Sequence, residues 1–117
     1  MERAKEMLSA AEGNLEIGQY KTSLNRSYYA IFHAMRAMNI LKGFDSSKHS
    51  GVIAYFNKEY IKEGIMDKEL SVIIKSSSFL REKSDYDDFS LRKETENQLA
   101  SARIFLEAVE KYLNEKE

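Results

Sequence analysis

Two side chains in this 117-residue sequence have the types and the spacing to do chemistry together, Arg26 and His33. Seven helical steps of 100° come to about 700°, which is about 20° short of two full turns. On a helix the two therefore project from nearly one line, about 10 Å apart along the axis. Tyr29 and Arg36 flank them on the same face. An imidazole can exchange a proton near neutral pH. A guanidinium holds phosphate through a planar fork and stabilises charge developing on a phosphorane. In RNA the nucleophile can be the substrate's own 2′-hydroxyl. One acid or base and one phosphate clamp then nearly suffice, with no metal and no cofactor. The plainer alternative is a solvated or hydrogen-bonded face, which is how Arg and His on one side of a helix usually end up.

The element that must position these groups is a helix running roughly from Tyr20 to Lys42, with Gly43 as a C-terminal cap. Leu24, Tyr28, Ile31, Met35 and Met38 fall within one narrow sector at helical spacing and must face a core. The opposite sector carries Thr22, Arg26, Tyr29, His33 and Arg36. Ala30, Ala34 and Ala37 lie beside them. Small residues let another backbone approach closely, so this face is expected to be covered by a second subunit, with a twofold axis bringing two copies of Arg26 and His33 toward one cleft.

Four further helices are expected. The first spans about 2–15, with Ala4, Leu8, Ala11 and Leu15 at helical spacing, and Gly18 ends it. A third starts near Ser46 or Ser47 with Asp45 as N-cap, carries Val52, Ile53, Tyr55, Phe56 and Tyr60, and closes at Gly64. A fourth follows Asp67, with Leu70, Ile73, Ile74 and Leu80 on one side. The fifth follows Ser90, where Thr95, Leu99, Ala102, Leu106, Val109 and Leu113 alternate by four and three residues as in a bundle seam. No stretch shows strand alternation. The expected architecture is all-α, an up-and-down bundle of about five helices forming a single domain over 1–117 and dimerising through its second helix.

Other residues invite chemistry less directly. Lys48 and His49 stand at the start of the third helix, where an anion is favoured, and could bind substrate phosphate; capping and solvation of the loop is the plainer role. Arg81 and Asp85, four apart, read as an intrahelical ion pair, or as support for a cleft with Tyr86 as a packing group. Asp85, Asp87 and Asp88 resemble a metal site only superficially, since no histidine lies near them in sequence, and no metal is expected. Tyr55 and Tyr60 fit the core or rim of their helix.

Composition narrows the class. Without cysteine there is no disulfide framework, thiolate metal site or cysteine nucleophile, which fits a reducing, cytoplasmic setting. The amino-terminal stretch MERAKEMLSAAEG is charged and amphipathic, unlike a signal peptide, and no apolar run reaches membrane-spanning length. A net charge of -1 argues against a dedicated duplex-DNA binder but allows a local basic cleft. Proline is absent, which suits long helices.

The segment Asn25-Arg26-Ser27-Tyr28-Tyr29-Ala30-Ile31-Phe32-His33-Ala34 resembles the R-x-YYA-x-FHA core of the HEPN domain superfamily. Ser47-Lys48-His49-Ser50-Gly51-Val52-Ile53, Phe56-Asn57 with Gly64, and Arg81-Glu82-Lys83-Ser84-Asp85-Tyr86 resemble further segments of the same branch, and the closing helix with Ala102, Phe105 and Tyr112 also fits. The resemblance implies a dimerising helical bundle. It also implies, for many members, a metal-independent ribonuclease whose Arg and His, separated by four to six residues, share a cleft at the dimer interface. Arg26 and His33, with six between them, fit that range. Many such members are toxins paired with a nucleotidyltransferase antitoxin; others bind nucleotide or RNA without cleaving it. Met35 stands where the branch with an antitoxin-modified tyrosine has Tyr. The functional expectation is thus a ribonuclease with His33 as general acid/base and Arg26 on the scissile phosphate, Tyr29, Arg36, Lys48 and His49 being secondary contacts. The alternatives are a non-catalytic nucleotide-, RNA- or partner-binding module and a purely structural dimer.

Overall fold

The computed structural model describes residues 1–86 and 92–116, apart from the side chains of Asp85 and Tyr86. The expected Arg81–Asp85 pair, the packing of Tyr86, the cluster Asp85, Asp87, Asp88 and the helix start at Ser90 fall outside what is described. Among the described residues there are five α-helices and no strand: α1 (Glu2–Glu16), α2 (Tyr20–Ile40), α3 (His49–Phe56), α4 (Glu69–Tyr86) and α5 (Arg92–Glu115), with a π-helical segment, Asn57–Ile61, continuing α3. None of them is long and apolar enough to cross a membrane.

Helix α2 is the central rod, and α1, α3, α4 and α5 all pack against it. Its apolar sector is buried as expected, from Leu24 through Tyr28, Ile31 and Met35 to Met38. Leu70, Ile73 and Ile74 of α4 and Leu99, Ala102, Phe105, Leu106 and Val109 of α5 close over the core. The alanines behave differently from expectation. Ala30 and Ala34 are wholly buried within the single chain and share the core with Ala4 of α1. Their small side chains let a helix of the same chain come close. There Ser23 Oγ donates to the Ala11 carbonyl at 2.7 Å. Ala30 and Ala34 are thus already covered within the chain, while Ala37 is only half-buried.

The connection from α2 to α3 decides where the third helix starts. Gly43 adopts φ +77°, a left-handed conformation that costs other residues about 1–2 kcal/mol. It ends α2 in a Schellman turn, in which the Gly43 amide donates to the Ile40 carbonyl and the Phe44 amide to the Asn39 carbonyl. Phe44 then stacks on Tyr55 at 4.0 Å between ring centroids. Asp45 does not cap α3. Its carboxylate takes a two-pronged contact from Arg36, at 2.9 and 2.8 Å, and also accepts the Ser46 amide. The fork geometry of the guanidinium favours that pairing over a single amide cap. Helix α3 accordingly begins later, at His49, with Lys48 at the cap position and its amide donated to Ser46 Oγ. Asp67 does serve α4 as expected, its carboxylate accepting the Glu69 amide at 2.8 Å.

Two polar groups lock the α3 region onto α2. The Asn39 side-chain amide donates to the Val52 carbonyl at 3.1 Å. The fully buried Tyr60 hydroxyl donates to the Met38 carbonyl at 2.5 Å. Burial pushes that phenol up to about 12, so it stays a donor throughout the stable pH range. Tyr60→Phe keeps the ring and removes the donor, and should cost about 1 kcal/mol in urea unfolding at unchanged m value. An unchanged midpoint would mean that the ring alone matters.

Candidate functional site

The helical period that buries one side of α2 turns the other outward, and Arg26, Tyr29, His33 and Arg36 emerge there half-buried. Near the start of the helix the Arg26 guanidinium donates to Asn25 Oδ1 at 3.2 Å and lines a shallow groove of about 230 Å³ with Lys21, Thr22 and Asn25. His33 lies two turns on, its ring 6.3 Å from that of Tyr29 and 5.5 Å from that of Phe32. Arg26 and His33 share the face without touching, and Tyr29 stands between them in sequence order along it. Ser27, beside Arg26, points the other way and is buried with its hydroxyl unpartnered. Met35 is likewise sealed in the core.

Around His33 the tertiary structure assembles groups from three helices. His49, the first residue of α3, packs its ring 4.5 Å from Phe32 and 5.5 Å from Tyr29. Its Nδ1 shares a hydrogen bond with the Tyr28 hydroxyl at 3.2 Å. From α4, the Arg81 guanidinium lies over the Tyr28 ring at 4.8 Å and the Tyr29 ring at 5.5 Å, where cation–π attraction holds it. Arg81 Nε is buried with no hydrogen-bond partner among the described residues. The loop beneath α3 is tight: a Cβ on Gly51 would come within 3.0 Å of Ser46 Oγ. Gly51 thereby lets α3 settle against the Asp45–Ser46 corner, which places His49.

The other expected contacts are less available. Arg36 is engaged by Asp45, and each holds the other charged: their hydrogen bond raises the guanidinium and lowers the carboxyl. Lys48 is exposed at the cap of α3. Spacing within α2 did not disclose Arg81, Phe32 or Tyr28 as neighbours of His49. One signal did exist in α4. The inward line Leu70, Ile73, Ile74 continues at helical spacing through Ser77, Arg81 and Ser84, turning polar where it nears the site, and Ser77 and Ser84 are buried.

Positive charge dominates this region. Burial, with help from Arg3, Arg36, the Met1 amino group and His49, pushes the His33 imidazole below its ordinary value. Burial and then Arg81 do the same to His49. Burial raises the Tyr28 phenol, against the opposing pull of Arg81. Two imidazoles whose protonation is disfavoured, set amid guanidinium groups, form a site where a bound anion would favour the protonated form. Among the described residues no three His, Asp or Glu side chains gather as a metal site would need.

Histidine titration by NMR should give midpoints below 6.5 for both His33 and His49. Arg81→Met should raise the His49 midpoint and leave that of His33 in place, whereas Arg3→Met should raise His33. Because the unfolded chain takes up these protons first, folding stability should decline as pH falls from about 6.5 toward the folded midpoints, and level off below them. Ordinary midpoints in the folded protein would contradict the buried, cation-rich placement.

The chain matches the HEPN domain family over residues 1–112. It is 36% identical over 116 residues to a Methanocaldococcus jannaschii protein named "Putative toxin MJ0605", covering 98% of this chain and 87% of that one. A UPF0332 protein of Thermotoga maritima is also 36% identical over 116 residues, with 97% and 87% covered. A second M. jannaschii protein, named "Putative toxin MJ0142", is 35% identical over 115 residues, with 97% and 78% covered. The overlap takes in α1 through most of α5, including the face that bears Arg26 and His33, and the chain belongs to the HEPN domain family.

Proposed function

We propose that this protein is a metal-independent endoribonuclease acting in the cytoplasm as the toxin of a pair, held in check by a nucleotidyltransferase antitoxin. The observation that carries this reading is the outward face of α2. There a half-buried imidazole, kept neutral near physiological pH by burial and by surrounding cations, lies in line with a guanidinium beside an open groove. A neutral imidazole can take the proton of a 2′-hydroxyl as that oxygen attacks the adjacent phosphorus. A guanidinium can hold the phosphate and stabilise the charge that builds on it. The products are a 2′,3′-cyclic phosphate and a free 5′-hydroxyl. Two relatives carrying toxin in their names support the biological setting.

Arg26 and His33 stand too far apart on one helix to serve a single phosphate unaided. A homodimer resolves this, with Arg26 of one protomer approaching His33 of the other across a twofold axis. Ala30 and Ala34 are enclosed within the chain, so the contact between copies involves the half-buried Ala37 and the rim of the Arg26–His33 face. Tyr29 then lies between the two groups as a contact for RNA, whereas Arg36 acts mainly by holding the loop before α3.

The test is incubation of purified protein with total RNA in EDTA. Wild type should cleave, His33→Ala should lose about a hundredfold or more, and Arg26→Ala should be similarly impaired. Mixing the two inactive variants should restore about a quarter of wild-type activity, since half of randomly assembled dimers then carry one intact site of two. Cleavage by wild type without such rescue would place both groups in one protomer. Absence of cleavage together with measurable nucleotide affinity would make the protein a binding module. Expression should arrest growth, and His33→Ala should relieve it.

A further inference from the structure

The geometry points to His49 as a second proton-transfer residue of the same site, the general acid that returns a proton to the leaving 5′-oxygen, with Tyr28 as the residue that positions it. This rests on the ribonuclease reading and extends it from one histidine to two. The ring of Phe32 touches both imidazoles, 5.5 Å from His33 and 4.5 Å from His49, and Tyr29 approaches both as well. The two histidines thus border one patch of surface, although fifteen residues, a loop among them, separate them in the chain.

The hydrogen bond at Nδ1 distinguishes His49 from a packing histidine. Tyr28 is 3% exposed, so its hydroxyl is held in place by the surrounding core. When His49 is protonated, Nδ1–H donates to the Tyr28 oxygen. Nε2–H, with no protein partner among the described residues, is then left to donate outward. An imidazole held by its Nδ1 in this way directs its proton transfer through Nε2. His33 has more fixed positive charge around it, from Arg3, Arg36 and the Met1 amino group, which suits it to be the neutral base. The charged groups facing His49 and its phenol partner are Arg81 and Glu82 of α4, with the phenol of Tyr29 alongside.

The step balances within the site. The 2′-oxygen bonds to phosphorus while its proton passes to His33. The P–O5′ bond breaks, and the departing oxygen takes the Nε2 proton of His49. Water then re-equilibrates the two imidazoles. Arg81, over the Tyr28 and Tyr29 rings, lies next to the charge that forms.

A substrate whose leaving group needs no proton separates this role from a structural one. On RNA, His49→Gln should lose about a hundredfold in kcat/KM. On uridine 3′-(4-nitrophenyl phosphate), which releases 4-nitrophenolate unaided, the same variant should stay within a few-fold of wild type, whereas His33→Gln should fail on both. The wild-type pH profile on RNA should be bell-shaped, and His49→Gln should lose the alkaline limb. Tyr28→Phe, which keeps the buried ring, should lose about tenfold on RNA and little on the ester. Equal loss on both substrates in His49→Gln, or no loss on RNA in either the His49 or the Tyr28 variant, would overturn the assignment. A wild-type protein inert on RNA and ester alike would overturn the ribonuclease reading itself.

Discussion

One helix packs against each of the other four described α-helices, and that contact pattern limits what each of its sides can be. Helix α2 packs against α1, α3, α4 and α5, so its inward residues must be apolar or small enough to be enclosed. With most of its circumference committed, the strip bearing Arg26, Tyr29, His33 and Arg36 is where it can present polar groups. The polar strip therefore lies on the element that packs against all four other α-helices. A side chain there inherits its direction from a backbone held by packing on several sides, which favours fixed geometry at a site.

The second constraint is the corner between α2 and α3. A left-handed glycine turns the chain, a guanidinium–carboxylate fork closes it, and a serine hydroxyl seated against Gly51 brings α3 down close to α2. The exposed Arg36–Asp45 pair contributes little stability as an isolated interaction. Its significance is positional: by occupying Asp45 it delays the start of α3 until His49, so that this imidazole, rather than a residue of the preceding loop, meets Tyr28 and Phe32.

Electrostatics couple these two devices. Burial first, and then nearby cations, disfavour the protonated histidines, and both respond by holding their protons less tightly. Arg81 is accommodated among tyrosine faces, with no hydrogen-bond partner for its Nε among the described residues. Such an arrangement costs folding stability at acid pH and suits an anionic ligand. A net charge of -1 is a poor guide to such a site, because it says nothing of where the individual charges lie.

Much of this was legible in the residues alone, for a definite reason. Helical periodicity is a local property, so the buried sector of α2, the seam of α5 and the shared direction of Arg26 and His33 could all be read from spacing. The capping roles of Gly43 and Asp67 are equally local, and the motif around Arg26 and His33 carried the family. What spacing could not settle was competition between distant partners. Asp45 is a good N-cap by type, but folding offers it a guanidinium nine residues away. Alanines beside a polar face suit a second subunit as well as they suit α1, and only the packed chain shows that Ala30 and Ala34 go to α1. Tyr28, read as core, is buried in its ring, over which Arg81 of α4 lies, and polar at its hydroxyl, where His49 of α3 meets it. The sequence by itself determined the helices and which side of each is wet. The tertiary structure decided which side chains from separate helices share one patch, because that depends on how the helices are placed against one another, and no period within a single helix encodes it.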